Sequence, residues 1–285
     1  METSPPPALQ LKANWPLLLG LAALAIPTII TLANQYWSSE AGAHGPIVLL
    51  TGAWLLWRAI PDFKRYAERG SPVLTALGFA ISLPLYVFGR AYDFLALEAV
   101  GLYGAGISML YSEIGLRALL KNWFPILYLG FVVPPPGWLM DDITAPLKLF
   151  ASKVTTDGLQ AVGIPIFREG VTLQVGNYQL LVEDACSGMN SLIGLTAISL
   201  FYIYLLRNAS WTHSLILTCM VIPIAVIANI IRIVILVLLT YYFGDAVAQG
   251  FLHQAAGLVL FTTSLLLVFL LDHLVARIWP AKSES

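Results

Sequence analysis

Apolar stretches of bilayer-spanning character recur along the whole chain, at residues 15 to 33, 46 to 60, 72 to 89, 94 to 111, 118 to 133, 187 to 206, 212 to 243 and 253 to 275. A spanning helix takes about 20 apolar residues, so the pattern predicts eight transmembrane helices, the fifth short and the seventh long. The stretch from 134 to 186 breaks this rhythm. Pro134, Pro135 and Pro136 stop the fifth run because proline has no N–H to give to a helix ladder. Beyond Asp141 and Asp142, apolar residues at Leu147, Phe150, Ala151, Val154 and Ala161 return at helical spacing, with Lys148, Lys153, Thr155 and Asp157 between them. This predicts an amphipathic helix lying on the outer leaflet.

From Val171 the period falls to two. Val171, Leu173 and Val175 alternate with polar residues up to Gly176 and Asn177, and Tyr178, Leu180 and Val182 follow. Gly-Asn suits a two-residue turn, so a β-hairpin is predicted. It runs into Glu183, Asp184, Ala185, Cys186, Ser187 and Gly188, after which the sixth apolar run begins. The expected architecture is an all-α polytopic membrane protein with a small external β-hairpin and amphipathic helix. It forms one integral membrane domain over 1–285, in which the external segment 134–186 leads to Cys186.

Composition agrees. Of 285 residues, 58% are apolar and 11% charged, against about 25% charged in soluble domains. A net charge of -1 supplies no basic field for nucleic acid, and two cysteines are too few for a disulfide framework. Basic residues fix the expected orientation. The loop carrying Lys64, Arg65 and Arg69 is placed in the cytoplasm by the positive-inside rule. Lys12, Arg117, Lys121, Arg207, Arg277 and Lys282 then also fall inside, and 134 to 186 falls outside. Ala41, Gly42 and Ala43 resemble a signal-peptidase site but lie well beyond the first apolar run, so cleavage there is not expected.

Three polar residues stand out against this background. Cys186 lies where a strand passes into a helix N-terminus, a setting that favours the thiolate. Arg232 interrupts an apolar run, where insertion costs about 2.5 to 3.5 kcal/mol. It lies about 28 Å along the helix from His213 at 1.5 Å per residue, close to the outer boundary, with Asn229 three residues earlier on the same face. His253 is the histidine expected at a helix end on that same side, able to exchange protons near neutral pH. Cys219, mid-run among apolar neighbours, reads as a core residue.

A thiolate nucleophile, a cation for the oxyanion and an imidazole for the leaving amine make a constellation for acyl transfer. Each residue alone also has a structural reading, Arg232 as a snorkelling side chain or as a partner of Glu183 or Asp184. Two other classes compete with the enzyme: a non-enzymatic transporter or structural subunit of a polysaccharide export system, and a membrane acyltransferase. No His, Cys or carboxylate spacing resembles a metal site, and no cofactor is expected.

The stretch EDACSGMNSL around Cys186, NIIRI around Arg232, HQAAG around His253 and the external PPPGWLMDDITAPLKLFAS together resemble the exosortase and archaeosortase family, over roughly residues 70 to 275. The resemblance implies a cysteine protease and transpeptidase of the bacterial inner membrane, its active site facing the periplasm. Its substrates would be secreted proteins with a C-terminal sorting signal: a Pro-Glu-Pro-like motif, a membrane helix and a basic tail. Such systems often accompany exopolysaccharide genes. By matching motifs, Cys186 would be the nucleophile, Arg232 the stabilising cation and His253 the proton donor and acceptor. Glu183, Asp184, Ser187 and Asn229 would support them.

Overall fold

The computed structural model describes residues 15–39, 42–181, 192–205, 211–244, 246–248, 250 and 256–278. The chain forms two compact units, Met1–Pro136 and Gly137–Ser285. The boundary falls at the end of the proline run that was expected to stop the fifth apolar segment.

Five α-helices lie among the described residues of the first unit. These are α1 (Trp15–Thr31), continued by a π-helical turn Leu32–Tyr36, then α2 (Gly45–Tyr66), α3 (Pro72–Ala91), α4 (Leu95–Lys121) and α5 (Trp123–Leu129), which ends in a 3-10 turn Gly130–Val132. Helices α3 and α4 form a tight antiparallel pair. A Cβ on Gly89 would collide with the backbone of Glu98, and one on Gly101 with that of Tyr86, so glycine permits this approach. The close contact encloses a polar cluster. Glu98 is 2% exposed and accepts hydrogen bonds from Thr28 Oγ1 of α1 at 2.7 Å and from the Arg90 guanidinium at 3.1 Å. Tyr86 donates to the Leu24 carbonyl at 3.0 Å. These bonds tie three helices together at one end.

The gap expected between the fourth and fifth runs, over residues 112 to 117, is instead crossed by α4, which continues to Lys121. Gly115 adopts φ 70° and ψ 177°, interrupting α4. The freed Ile114 carbonyl accepts a bond from the Glu68 N–H at 3.0 Å, so the α2–α3 loop supplies what the helix gives up. Asn122 then separates Lys121 from the short α5. The run 118 to 133 is therefore not one helix, and α5 with its 3-10 turn is shorter than a span.

The second unit begins with α6 (Gly137–Ala161), followed by strands β1 (Ile166–Glu169), β2 (Thr172–Val175) and β3 (Tyr178–Leu181), and then α7 (Leu192–Leu205), α8 (Trp211–Phe243) and α9 (Ala256–Ile278). The hairpin β2–β3 has the expected register, Val175 opposite Tyr178, with Gly176 at φ 58° in the turn. Positive φ there is costly for residues with a side chain. A third strand, absent from the sequence expectation, pairs Ile166 with Val175 and Glu169 with Thr172, giving the order β1-β2-β3.

Helix α6 differs from the expected pattern in its faces. Thr144, Ala151, Thr155 and Leu159 form its buried stripe, whereas Ile143, Phe150 and Val154 are exposed. Thr155, expected on the polar side, sits four residues from Ala151 and four from Leu159, so helical geometry places it with them.

Four helical stretches among the described residues are long and apolar enough to cross a membrane: Trp15–Tyr36, Pro72–Ala91, Leu95–Lys121 and Leu215–Phe243. The expected count of eight is not reached among the described residues. Arg58, Asp62, Lys64 and Arg65 make α2 too polar, while α7 and α9 show the apolar stretches Ile193–Leu205 and Thr262–Val275 among the described residues.

Candidate active site around a buried arginine

The centre of the second unit is α8. Its buried residues Ala225, Ala228, Asn229, Arg232, Leu236 and Thr240 recur at three- and four-residue steps, forming one stripe. Arg232 is 1% exposed and is among the largest fully buried side chains of the protein; Asn229, one turn earlier, is 2% exposed. The sequence placed Arg232 near an outer boundary. The structure adds that it is enclosed by protein.

Three packed clusters involve residues of α8 before and after Arg232. Ile233 and Val237 pack with Leu173, Val175 and Leu180 of the sheet and with Ala151 and Leu159 of α6. On the N-terminal side, Ala225 and Ala228 pack with Leu195 of α7 and Leu267 of α9. On the C-terminal side, Leu236 packs with Ala248. The hairpin also reaches the C-terminal end of α8, since a Cβ on Gly244 would lie 3.7 Å from the Tyr178 hydroxyl oxygen.

Cys186, His253, Glu183, Asp184 and Ser187 lie outside the described residues. Leu180, six residues before Cys186, belongs to the packed cluster of Ile233 and Val237, and Ala248, five residues before His253, packs with Leu236.

Arg232 and Asn229 are therefore the two expected site residues whose positions are described, and they share one buried stripe. Two buried hydroxyls of α6, on Thr144 and Thr155, have no hydrogen-bond partner among the described residues. Sequence reasoning missed them, and the 144/151/155/159 spacing was the available signal. Cys219, read as a core residue, is instead exposed on α8.

A family model described as transmembrane exosortase matches residues 36–270, most of the chain. No curated protein and no solved structure matches it. With four helices able to cross a bilayer and this match over most of its length, the chain belongs to the transmembrane exosortase family.

Proposed function

We propose that this exosortase is a membrane-embedded cysteine protease and transpeptidase that cleaves C-terminal sorting signals of secreted proteins at the periplasmic face of the inner membrane. The reading is supported by the match to the transmembrane exosortase family over residues 36–270, together with an arginine buried in an apolar helix.

In this mechanism the Cys186 thiolate attacks the scissile carbonyl carbon, and the carbonyl oxygen takes the negative charge. The Arg232 guanidinium stabilises that oxyanion in a site of low dielectric, where a fixed cation is worth far more than in water. His253 gives its proton to the departing amine, leaving an acyl thioester on Cys186. The same imidazole then takes a proton from the acceptor, water or an amine, as it attacks the thioester and frees the thiol. Asn229 orients Arg232 from the preceding turn, and Glu183 and Asp184 favour the cationic partners beside Cys186. The substrates are secreted proteins carrying a recognition motif, a membrane helix and a basic tail. A substrate held by its own helix meets such a site at the membrane surface.

The test is co-expression with a secreted protein bearing a cognate sorting signal, followed by its size shift. Cys186→Ala, Arg232→Ala and His253→Ala should each abolish the shift while the enzyme remains in the membrane. Normal processing by Cys186→Ala would overturn the reading in favour of a transporter or structural subunit.

A further inference from the structure

Between α1, α2, α4 and α5 the first unit carries a half-open cavity of about 1160 Å³, lined almost entirely by apolar side chains. Its charged lining residues are Lys64 and Glu113, both near the basic ends of α2 and α4. At the far end, Tyr103 donates to the Ile126 carbonyl at 2.6 Å and joins α4 to α5. Along α4 the lining runs from Tyr103 to Ile114. At 1.5 Å per residue this is about 16 Å, close to half of the roughly 30 Å hydrocarbon core. The cavity therefore matches one leaflet in depth, on the side of the basic helix ends.

The volume matches a pair of acyl chains. At about 30 Å³ per methylene, comparable to a water's share of liquid volume, two chains of about 16 carbons fill roughly 1000 Å³. Gly106 lines the wall, and a Cβ there would meet nothing within 4 Å.

The polar end is suited to phosphate. Lys64, Arg65, Arg69, Arg117 and Lys121 gather there, against Asp62, Glu68 and Glu113. Arg65 and Lys121 are held over the Tyr66 ring at 5.4 and 3.6 Å, and Arg117 pairs with Glu68 at 3.4 Å. Lys64 is exposed and lines the cavity. Juxtamembrane cations of this kind attract anionic headgroups.

We propose that this cavity is a binding site for one phospholipid of the adjoining leaflet, its acyl chains lying along Gly106 and its phosphate held by Lys64. The site lies wholly within the first unit and is independent of the chemistry assigned to Cys186. A bound lipid fills a void that would otherwise leave α1 with few partners, and so stabilises the unit by mass action.

The test is native mass spectrometry of the full-length protein in detergent, titrated with phosphatidylglycerol and with diacylglycerol of the same chains. Wild type should bind one phosphatidylglycerol, and diacylglycerol at least about tenfold more weakly. Gly106→Phe, which projects a ring from the wall into the path of the acyl chains, should weaken both ligands about tenfold or more. Lys64→Gln, which adds no bulk and lies at an exposed position, should weaken phosphatidylglycerol about tenfold and leave diacylglycerol unchanged. Equal binding of the two ligands by wild type, or wild-type phosphatidylglycerol binding by either variant, would overturn the proposal. Co-purification of wild type with a protein helix in place of lipid would also overturn it.

Discussion

Replacing Arg232 with lysine separates a catalytic role for this residue from a structural one. Both side chains carry a positive charge and cost about 2.5 to 3.5 kcal/mol at a helix centre on insertion scales, so Arg232→Lys should insert like wild type. The guanidinium, however, presents a planar set of donors that an ammonium cannot reproduce. Arg232 is 1% exposed, so water cannot replace a lost donor. Removing one oxyanion donor from an enclosed site lowers turnover by about 10² to 10³, or roughly 2.7 to 4 kcal/mol. Processing rates of a sorting-signal substrate should fall by that factor in Arg232→Lys, measured against membrane-inserted enzyme. Because Arg232 is buried, losing its donors should also lower the apparent Tm in detergent, by roughly 2 to 4 °C for each kcal/mol, so rates are compared per folded enzyme. A wild-type rate would refute guanidinium stabilisation of the oxyanion. A rate loss matched by equal loss of folded enzyme would instead identify Arg232 as a structural residue.

Three further outcomes follow from the first unit. Arg90→Ala leaves the buried Glu98 carboxylate without its cation. Because the Arg90 side chain is 46% exposed, the cost should be about 1 to 3 kcal/mol rather than that of a fully buried pair. Glu98→Gln should cost less, and the reverse order in detergent melting would contradict the assignment. Gly115→Ala should destabilise by about 1 to 3 kcal/mol, because its backbone lies in a region nearly confined to glycine, and the new Cβ would sit 2.5 Å from the Glu68 carbonyl oxygen; unchanged melting would refute this. Lys121 holds the Tyr66 phenol below its usual value of 10 through a side-chain hydrogen bond. Ultraviolet titration should therefore show an upward shift of that phenolate transition in Lys121→Met, and no shift would rule out the contact as its cause.

Periodicity made most elements legible where one rule governed a segment. The run from Val171 alternated strictly around Gly-Asn, and strands β2 and β3 formed in that register. Strand β1 was missed because its four residues, Ile166 to Glu169, have a single buried position. Its two-residue link through Gly170, at φ 61°, was the readable cue. In α6, apolarity did not identify the buried face, because in a membrane protein exposed positions are apolar as well. Phe150 is exposed while Thr155 is buried. The break at Gly115 depends on the α2–α3 loop supplying a hydrogen bond from Glu68, a tertiary contact that no local pattern encodes. At the site, Arg232 and Asn229 were identifiable because polar groups in an apolar run require a cause. Their enclosure by the sheet, α6, α7 and α9 was not, since it arises from packing between distant segments.

The central claim is nucleophilic catalysis by Cys186, and its most direct test is intact-mass analysis of the enzyme quenched in acid during turnover of a sorting-signal substrate. The account predicts a covalent acyl adduct that maps to the peptide containing Cys186, is released by hydroxylamine as a thioester requires, and is absent from Cys186→Ala. Continued cleavage by Cys186→Ala, with no adduct on the wild-type enzyme, would contradict it.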